Sequence, residues 1–227
     1  MTSAIDICNS ALARIGKSAN ISSLDPPEGD PHAEACSIFF PLAKAEILEA
    51  FPWSFAVKRD TVALLAEKPL GYAYAYRLPS DCVRVLSLLK NCNGAESSDY
   101  PYSTVISEAE YGFPFHGRGD ERWDVETIDG LPALVTQVDV DAVRYISSRT
   151  DAWAFSPSAA EALSWLTAAK IAGPILRGDG GASVAKSCLQ SYAIAMQQAV
   201  TFDLQRQNKI LFYRSPFVGD FIGGLHA

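Results

Sequence analysis

The chain lacks the long apolar segments that membrane proteins carry. None of its apolar runs approaches the roughly 20 residues of a membrane-spanning helix, and Met1 to Asp6 have neither the basic start nor the apolar stretch of a signal peptide. Paired cysteines are also missing, because the five cysteines are an odd number and no CxxC motif occurs. We therefore expect a protein that is neither exported nor anchored, in a reducing compartment. The thiols expected to be buried are those of Cys8, Cys36, Cys82, Cys92 and Cys188.

Positive charge is scarce. Lys and Arg number 19 against 26 Asp and Glu, which gives a net charge of −7. Phosphate backbones repel such a chain, so the composition argues against tight nucleic-acid binding. In other respects the composition is that of a globular domain, with 48% hydrophobic and 20% charged residues. Disorder and coiled-coil rods are therefore not expected, and 227 residues are enough to bury a core without disulfides or metals.

The groupings that catalysis and metal binding need are also sparse. No Gly-x-Ser-x-Gly elbow occurs, and the only histidines are His32, His116 and His226. His32 and Cys36 are one helical turn apart and could share a metal ion, but no second pair of matching spacing completes a zinc site. We therefore predict no catalytic residues, no metal and no cofactor.

Two carboxylate pairs leave an enzymatic alternative open. Glu46 with Glu49, or Asp139 with Asp141, could flank a glycosidic bond, although acidic pairs at such spacing are usually solvated faces. The four tryptophans could line a sugar site, but each falls on an apolar face of a predicted element or at its edge, which favours core packing. They are Trp53, Trp123, Trp153 and Trp165.

Residues 1–52 predict two helices. The first covers residues 3–15, where Ser3 and Asp6 are spaced as a capping box ahead of an apolar repeat. The second begins after Asp30, because Asp accepts hydrogen bonds from free amides and Pro31 has no amide to satisfy. It should run to about Phe51, with a kink at Pro41.

Residues 53–149 predict an inserted antiparallel β region, because the apolar period changes from 3.6 to 2 and turn signals recur. Asp129-Gly130 predicts the type I′ turn of a hairpin. The segment Asn91–Asp120 is rich in Gly, Ser, Pro and Asn and is expected to be a long, exposed excursion. The predicted strands are Tyr72–Tyr76, Cys82–Leu89, 123–127, 131–136 and Val140–Ile146.

Residues 150–207 return to a helical pattern. A helix is expected from Pro157 to about Leu176, with a capping box of Ser158 and Glu161, and a second from Ala185 to about Gln207. Gly178 to Gly181 should separate them. The fold class is therefore α+β, a four-helix bundle of N- and C-terminal helices with the β region inserted. The helix from Pro157 to about Leu176 is apolar around most of its surface, so it should lie deep in the bundle or against a neighbouring subunit.

Residues 208–227 are predicted to form an extended docking tail. They are apolar, but Pro216 and three glycines deny them a helical or strand stripe. We expect this tail to bind a partner, while folding back onto its own bundle stays open as the alternative. The predicted partner-binding residues are Phe212, Tyr213, Phe217 and Phe221.

Three stretches of the first 90 residues have a recognisable order and spacing. The first is Asn9–Gly16 (NSALARIG), followed by Ile21-Ser22-Ser23-Leu24 and Ala35-Cys36. The second is Phe51–Arg59 (FPWSFAVKR), and the third is Tyr76–Cys82 (YRLPSDC). Together they resemble the tail tubular protein A family, the head-to-tail adaptors of short-tailed bacteriophages. Beyond these residues the likeness is one of architecture.

The resemblance implies a structural virion protein without catalytic activity or cofactor. Such a protein forms a ring, of twelve copies, beneath the portal protein and continues the DNA channel into the tail. The implied partners are the portal, neighbouring adaptor subunits and the tail nozzle protein, with no membrane involved. DNA would pass without specific binding. The implied location is the head-tail junction of the virion, after assembly in the cytoplasm of the bacterial host.

Two other classes of function stay open from the sequence. One is a tail-associated glycan hydrolase that uses a carboxylate pair, for which a concave site is the expected mark. The other is an α+β binding module with no phage role, because function belongs to sites rather than to folds.

Overall fold

The computed structural model describes residues 2–27, 29–67, 69–90, 104–108, 123–176 and 178–206. Within them the chain is α+β, as predicted, with helices at both ends of a run of antiparallel strands. The predicted tail and most of the Asn91–Asp120 excursion lie outside the described residues. The helices are α1 (Ala4–Arg14), α2 (Pro31–Ala50), α3 (Pro157–Leu176) and α4 (Gly178–Arg206).

The N-terminal helices begin where the capping signals predict. The Ser3 hydroxyl accepts a hydrogen bond from the Asp6 amide at 3.1 Å, and the Asp6 carboxylate accepts one from the Ser3 amide at 2.9 Å. This reciprocal pair is a capping box. The Asp30 carboxylate accepts a hydrogen bond from the His32 amide at 3.1 Å at the start of α2. Pro41 lies inside α2.

The C-terminal helices differ from the prediction in two details. The hydroxyl of Ser156, not that of Ser158, accepts a hydrogen bond from the Ala159 amide at 3.3 Å and caps α3. The predicted capping box is therefore wrong, because Glu161 is engaged with α1 instead. The last helix begins at Gly178 and not at Ala185.

Glycines open α4 because this helix approaches α3 closely. A Cβ at Gly181 would lie 3.1 Å from the Ala172 carbonyl oxygen. Gly178 has a φ of +66°, which turns the chain between the two helices. The glycines thus separate the helices, as predicted, but they also form the first turn of α4.

The described strands form two antiparallel sheets. The first sheet has the order β1-β8-β4-β5 and the second has the order β2-β3-β7-β6. Asp129 and Gly130 have φ of 53° and 73°, as the type I′ hairpin between β6 and β7 requires. The strands are β1 (Val57–Thr61), β2 (Ala63–Leu64), β3 (Tyr74–Arg77), β4 (Cys82–Lys90), β5 (Thr104–Glu108), β6 (Trp123–Ile128), β7 (Leu131–Thr136) and β8 (Ala142–Ser147).

Three of these strands were not predicted. Along β1 every residue from Lys58 to Thr61 is exposed, so this edge strand has no apolar alternation to reveal it. The strand β2 has only two residues. The strand β5 lies within the predicted excursion, where residues 104–108 pair with β4 instead of leaving the fold.

The first sheet is the middle of three layers. Leu86 of β4 and Ile146 of β8 belong to the core that the helices form. Their neighbours Val85 and Tyr145 belong to a second core, which the facing sheet shares through Tyr76 and Leu134. Because alternate residues of a strand point to opposite faces, this sheet is covered by helices on one side and by the second sheet on the other.

The helix α3 is covered by its own chain. It packs against α1, α2 and α4, and even its hydroxyl residues Ser164 and Thr167 are buried. Their hydroxyls donate hydrogen bonds to the Glu161 and Leu163 carbonyls at 2.7 and 2.8 Å. Of the two positions expected for this helix, the one among the helices of its own chain is therefore observed, and no neighbouring subunit is needed to cover it.

Candidate functional site

The stretches that carry the resemblance contain the main polar anchors of the described fold. The first anchor joins α1 to the loop that follows it. The side-chain amide of Asn9 donates a hydrogen bond to the Ile21 carbonyl at 3.0 Å and accepts one from the Ile21 amide at 2.9 Å. This pairing holds Ile21 in the core, where only 5% of the residue is exposed.

The second anchor joins α1 to α3. The Arg14 guanidinium donates a hydrogen bond to the Glu161 carboxylate at 2.6 Å and lies 3.9 Å from the ring centroid of Trp165. The indole of Trp165 donates to the other carboxylate oxygen at 3.1 Å. Ion pair and cation–π contact together fix an arginine whose side chain is only 14% exposed.

The third anchor joins the segment after α2 to the end of α4. The amide and hydroxyl of Ser54 donate hydrogen bonds to the two carboxylate oxygens of Asp203 at 2.9 and 2.6 Å. Trp53, next to this contact, is fully buried, and its indole donates to the Ile47 carbonyl at 2.6 Å. The rings of Phe51 and Phe55 pack against Trp53 at centroid distances of 4.9 and 5.5 Å.

The fourth anchor is Asp81, which joins three strands at one end of the first sheet. Its carboxylate accepts hydrogen bonds from the hydroxyls of Ser147 at 2.7 Å and Tyr145 at 3.0 Å, both on β8. The ammonium of Lys58 on β1 donates to it at 3.2 Å. The Asp81 carbonyl also accepts from the Ser148 amide at 2.8 Å.

The charge state of Asp81 follows from these contacts. Burial alone would raise its pKa, but the hydrogen bonds from Ser147, Lys58 and Tyr145 prevail and hold the pKa below its usual range. Burial and the neighbouring carboxylate raise the pKa of Tyr145 to about 12 and that of Cys82 to about 11. At neutral pH the cluster is thus one carboxylate surrounded by donors, which suits a structural anchor and leaves neither Tyr145 nor Cys82 ionised.

The residues considered for catalysis do not share a cleft. Glu46 is paired with Lys170 at 2.6 Å on an outer helix surface, and Glu49 is also exposed. Asp139 accepts a hydrogen bond from the Tyr76 hydroxyl at 2.9 Å, and Asp141 is exposed. In each pair one carboxylate is therefore occupied by a contact within the chain, Glu46 with Lys170 and Asp139 with Tyr76.

The candidate metal pair is also divided. The His32 ring contacts Asp30 at 3.1 Å, whereas Cys36 is fully buried and its thiol interacts with that of Cys8. The hydrogen bond with Cys36 and burial raise the pKa of Cys8. Within the described ranges no cluster of three or more metal-ligating side chains occurs, while His116 and His226 lie outside those ranges.

The tryptophans and cysteines agree with core packing only in part. Trp153 is 61% exposed, so its assignment to the core is wrong. Cys8, Cys36 and Cys188 are buried as predicted, whereas Cys82 is half-buried and Cys92 lies outside the described residues. Trp123 helps to line an open groove of about 310 Å³ between the sheets, together with Val83, Val85, Val125 and Pro132.

Apolar side chains also stand exposed on the helices. Ile38 and Leu42 lie on the outer face of α2 and are 60% and 56% exposed. On α4 the exposed large apolar residues are Leu189, Ile194 and Phe202. Apolar groups gathered on a surface are the usual mark of a protein contact. The sequence did not reveal these positions, because an apolar helix face has the same residue types whether it packs in the core or binds a partner.

The predicted partner-binding residues lie outside the described part of the chain. This applies to Phe212, Tyr213, Phe217 and Phe221. No protein-family model and no curated protein sequence matches the chain. Among the described helices, none has the length and apolar character to cross a bilayer.

Proposed function

We propose that this protein is a head-to-tail adaptor of a short-tailed bacteriophage, a structural virion protein that forms a ring beneath the portal. The observation that carries the proposal is the position of the motif residues. Asn9, Arg14, Trp53, Ser54 and Asp81 all hold the fold together, and some of their contacts join residues that are 147 and 149 positions apart. A chain that shares these residues is thus expected to share the fold and not only a local pattern.

In this proposal the four helices form one bundle with the β region inserted, and residues 208–227 extend from it as a docking tail. The aromatic side chains of Phe212, Tyr213, Phe217 and Phe221 would serve as anchors on the portal or on a neighbouring adaptor. The far side of the ring would meet the tail nozzle protein. The location follows as the head-tail junction of the virion, with assembly in the host cytoplasm and no membrane partner.

The proposal includes neither catalysis nor a cofactor. It is supported by the roles of the polar residues, since Asp81, Asp203 and Glu161 are each occupied in holding two elements together. The expected result is that no reducing sugar is released from host polysaccharide. A release that disappears in Glu46→Gln or Glu49→Gln would favour the glycan hydrolase instead.

The direct test is assembly with the portal protein of the same phage. Purified chain and portal should co-elute in size-exclusion chromatography, and electron microscopy should show a ring stacked on the portal. Truncation after Gln207 should remove portal binding while leaving the melting temperature of the protomer almost unchanged. Changing Phe212, Phe217 and Phe221 to Ser in the full-length chain should do the same. An intact chain that never binds the portal would contradict the adaptor function.

A further inference from the structure

We propose that Cys8 and Cys36 are an oxidation site, at which a peroxide joins the two thiols in a disulfide that ties α1 to α2. The inference goes beyond the adaptor function and does not depend on it. It rests on where the fold places two thiols that belong to different helices.

The two thiols are neighbours where α1 and α2 meet. Cys8 lies on the buried face of α1 and Cys36 on the buried face of α2, and neither residue has any exposed surface. The Cys8 thiol donates a hydrogen bond to the Cys36 sulfur, and both cysteines are free thiols in this structure. A disulfide has its sulfurs about 2.05 Å apart. The two sulfurs therefore have to approach each other further, but they do not have to change neighbours.

The backbone on both sides of the pair is held in place. Asn9, the residue after Cys8, makes two hydrogen bonds to the backbone of Ile21 at 3.0 and 2.9 Å. The Asp30 cap fixes the start of α2, less than two turns before Cys36. Thiols held on two fixed helices meet at high effective concentration. We therefore expect each of them to pair with the other and not with a third cysteine.

The hydrogen bond gives the two thiols different roles. The bond that Cys8 donates stabilises a thiolate at Cys36 and lowers the pKa of Cys36, although burial opposes this. The same bond and burial raise the pKa of Cys8. Because the thiolate is the nucleophilic form, Cys36 is the thiol that reacts first with an oxidant. Cys8 then resolves the product.

Hydrogen peroxide as the oxidant gives a balanced reaction. The Cys36 thiolate attacks one peroxide oxygen, the O–O bond breaks, and the products are Cys36 sulfenic acid and hydroxide, which takes up the proton that Cys36 released. The Cys8 sulfur then attacks the Cys36 sulfur, so that the S–S bond forms and the S–O bond breaks. The leaving hydroxide takes the Cys8 proton. Two thiols are thus oxidised to one disulfide, and one peroxide is reduced to two waters.

Burial controls the rate of this reaction. With no exposed surface at either cysteine, peroxide reaches the sulfurs only when the helices open locally. Oxidation of the folded chain should therefore be slow, and it should accelerate in urea concentrations below the unfolding transition. Oxidation that begins only with global unfolding would overturn a site that belongs to the native fold.

Peptide mapping of the full-length chain tests the pairing. The protein is treated with hydrogen peroxide in mild urea, the remaining thiols are alkylated, and the chain is digested with trypsin without reduction. Because Arg14, Lys17 and Lys44 are cleavage points, the expected product is residues 1–14 linked to residues 18–44. Dithiothreitol should separate the two peptides. If Cys8 and Cys36 were linked to other cysteines as often as to each other, the pairing would be wrong.

Three variants test the roles of the thiols. Cys8→Ser removes the resolving thiol, so Cys36 should remain a sulfenic acid that dimedone labels, whereas Cys36→Ser should leave Cys8 unlabelled. Cys188→Ser, at a buried thiol of α4, is the matched control and should give the linked peptide in unchanged yield. Labelling of Cys8 in place of Cys36 would overturn the assigned roles.

The melting temperature shows whether the fold accommodates the bond. The disulfide closes the chain from residue 8 to residue 36 and restricts the unfolded state, so the oxidised protein should melt several degrees above the reduced protein. Dithiothreitol should restore the lower value. A lower melting temperature after oxidation would show that the sulfurs meet only by distorting the helices, and it would overturn the site.

Discussion

Trp53 is the residue whose loss should cost the most stability. It is fully buried, it packs edge-on against Phe51 and stacks on Phe55, and its indole donates to a backbone carbonyl. Trp53→Ala removes these contacts and leaves a cavity, so we expect the free energy of unfolding to fall by about 3 to 5 kcal/mol. Urea denaturation measures this loss.

The matched control is Trp153→Ala, the same change at a side chain that is 61% exposed. We expect it to alter the free energy of unfolding by no more than about 0.5 kcal/mol. Equal losses in the two variants would show that Trp53 does not hold the core.

Asp81 should make the protein sensitive to acid. Its pKa is lowered in the folded state, so its ionised form contributes stability that is fully present above the unfolded pKa of about 3.9. That contribution is lost as the pH falls through the lower, folded pKa. Asp81→Asn should therefore lower the melting temperature at pH 7 and flatten the decline of stability below about pH 4.

Glu126→Gln is the control for this change, because Glu126 is exposed on β6. We expect its melting temperature to follow the wild type from neutral to acid pH. If Asp81→Asn kept the same acid dependence as the wild type, other carboxylates would have to account for it.

The anchors show which residues the sequence could single out. Arg14 and Ser54 lie in stretches selected by resemblance, but their partners Glu161 and Asp203 do not. Asp203 sits in a plain helical pattern, and its contact with Ser54 spans 149 residues. A single sequence holds no local signal for such a pairing, because the geometry that creates it exists only in the folded chain.

Two neighbouring glycines make a test at the scale of the elements. Gly180 and Gly181 both lie in the first turn of α4, but a Cβ at Gly180 would meet open space whereas one at Gly181 would approach the backbone of α3. Gly180→Ala should raise the free energy of unfolding by about 0.5 to 1 kcal/mol through helix propensity. Gly181→Ala should lower it, because the Ala172 carbonyl lies 3.1 Å away and belongs to a packed helix.

Thermal or urea unfolding of the two variants in parallel measures these opposite changes in the free energy of unfolding. A gain of the same size at both positions would mean that α3 and α4 can separate slightly without cost, and that the close approach does not require glycine.

The element boundaries that depend on neighbouring side chains were predicted correctly from the sequence. The starts of α1 and α2 depend on side chains that lie within three residues of the cap, and both were predicted. The start of α4 depends instead on contact with α3, so the glycines were interpreted as a break alone. The edge strand β1 was missed for a related reason, since its pairing with β8 comes from backbone hydrogen bonds that leave no apolar alternation.

The three layers should unfold as one cooperative unit. Leu86 and Ile146 place the first sheet in the helical core, while Val85 and Tyr145 place it in the core between the sheets. Neither the helices nor the second sheet can separate from the first sheet without exposing one of its apolar faces. Hydrogen exchange at increasing denaturant should give the same free energy of opening for α3, β7 and β8. Earlier opening of β7 would show that the second sheet is a separate unit.

The net charge predicts weak binding of DNA by the whole molecule. With seven more acidic than basic charges, we expect no mobility shift of duplex DNA at submicromolar protein in ~150 mM salt. A shift that weakens steeply as salt is added would reveal phosphate contacts and would contradict a channel that lets DNA pass freely.

The central position of α3 has a consequence for how the protein is made. During translation α1 and α2 are complete by residue 50. The helix α3, which covers both, begins at residue 157, and α4, which covers α3, ends at residue 206. At roughly 5 to 20 residues per second, the ribosome needs about 8 to 30 s to bridge that interval. The nascent N-terminal helices must wait for that time with their apolar faces uncovered, so chaperones that hold unfinished chains should bind this protein until α4 has been synthesised.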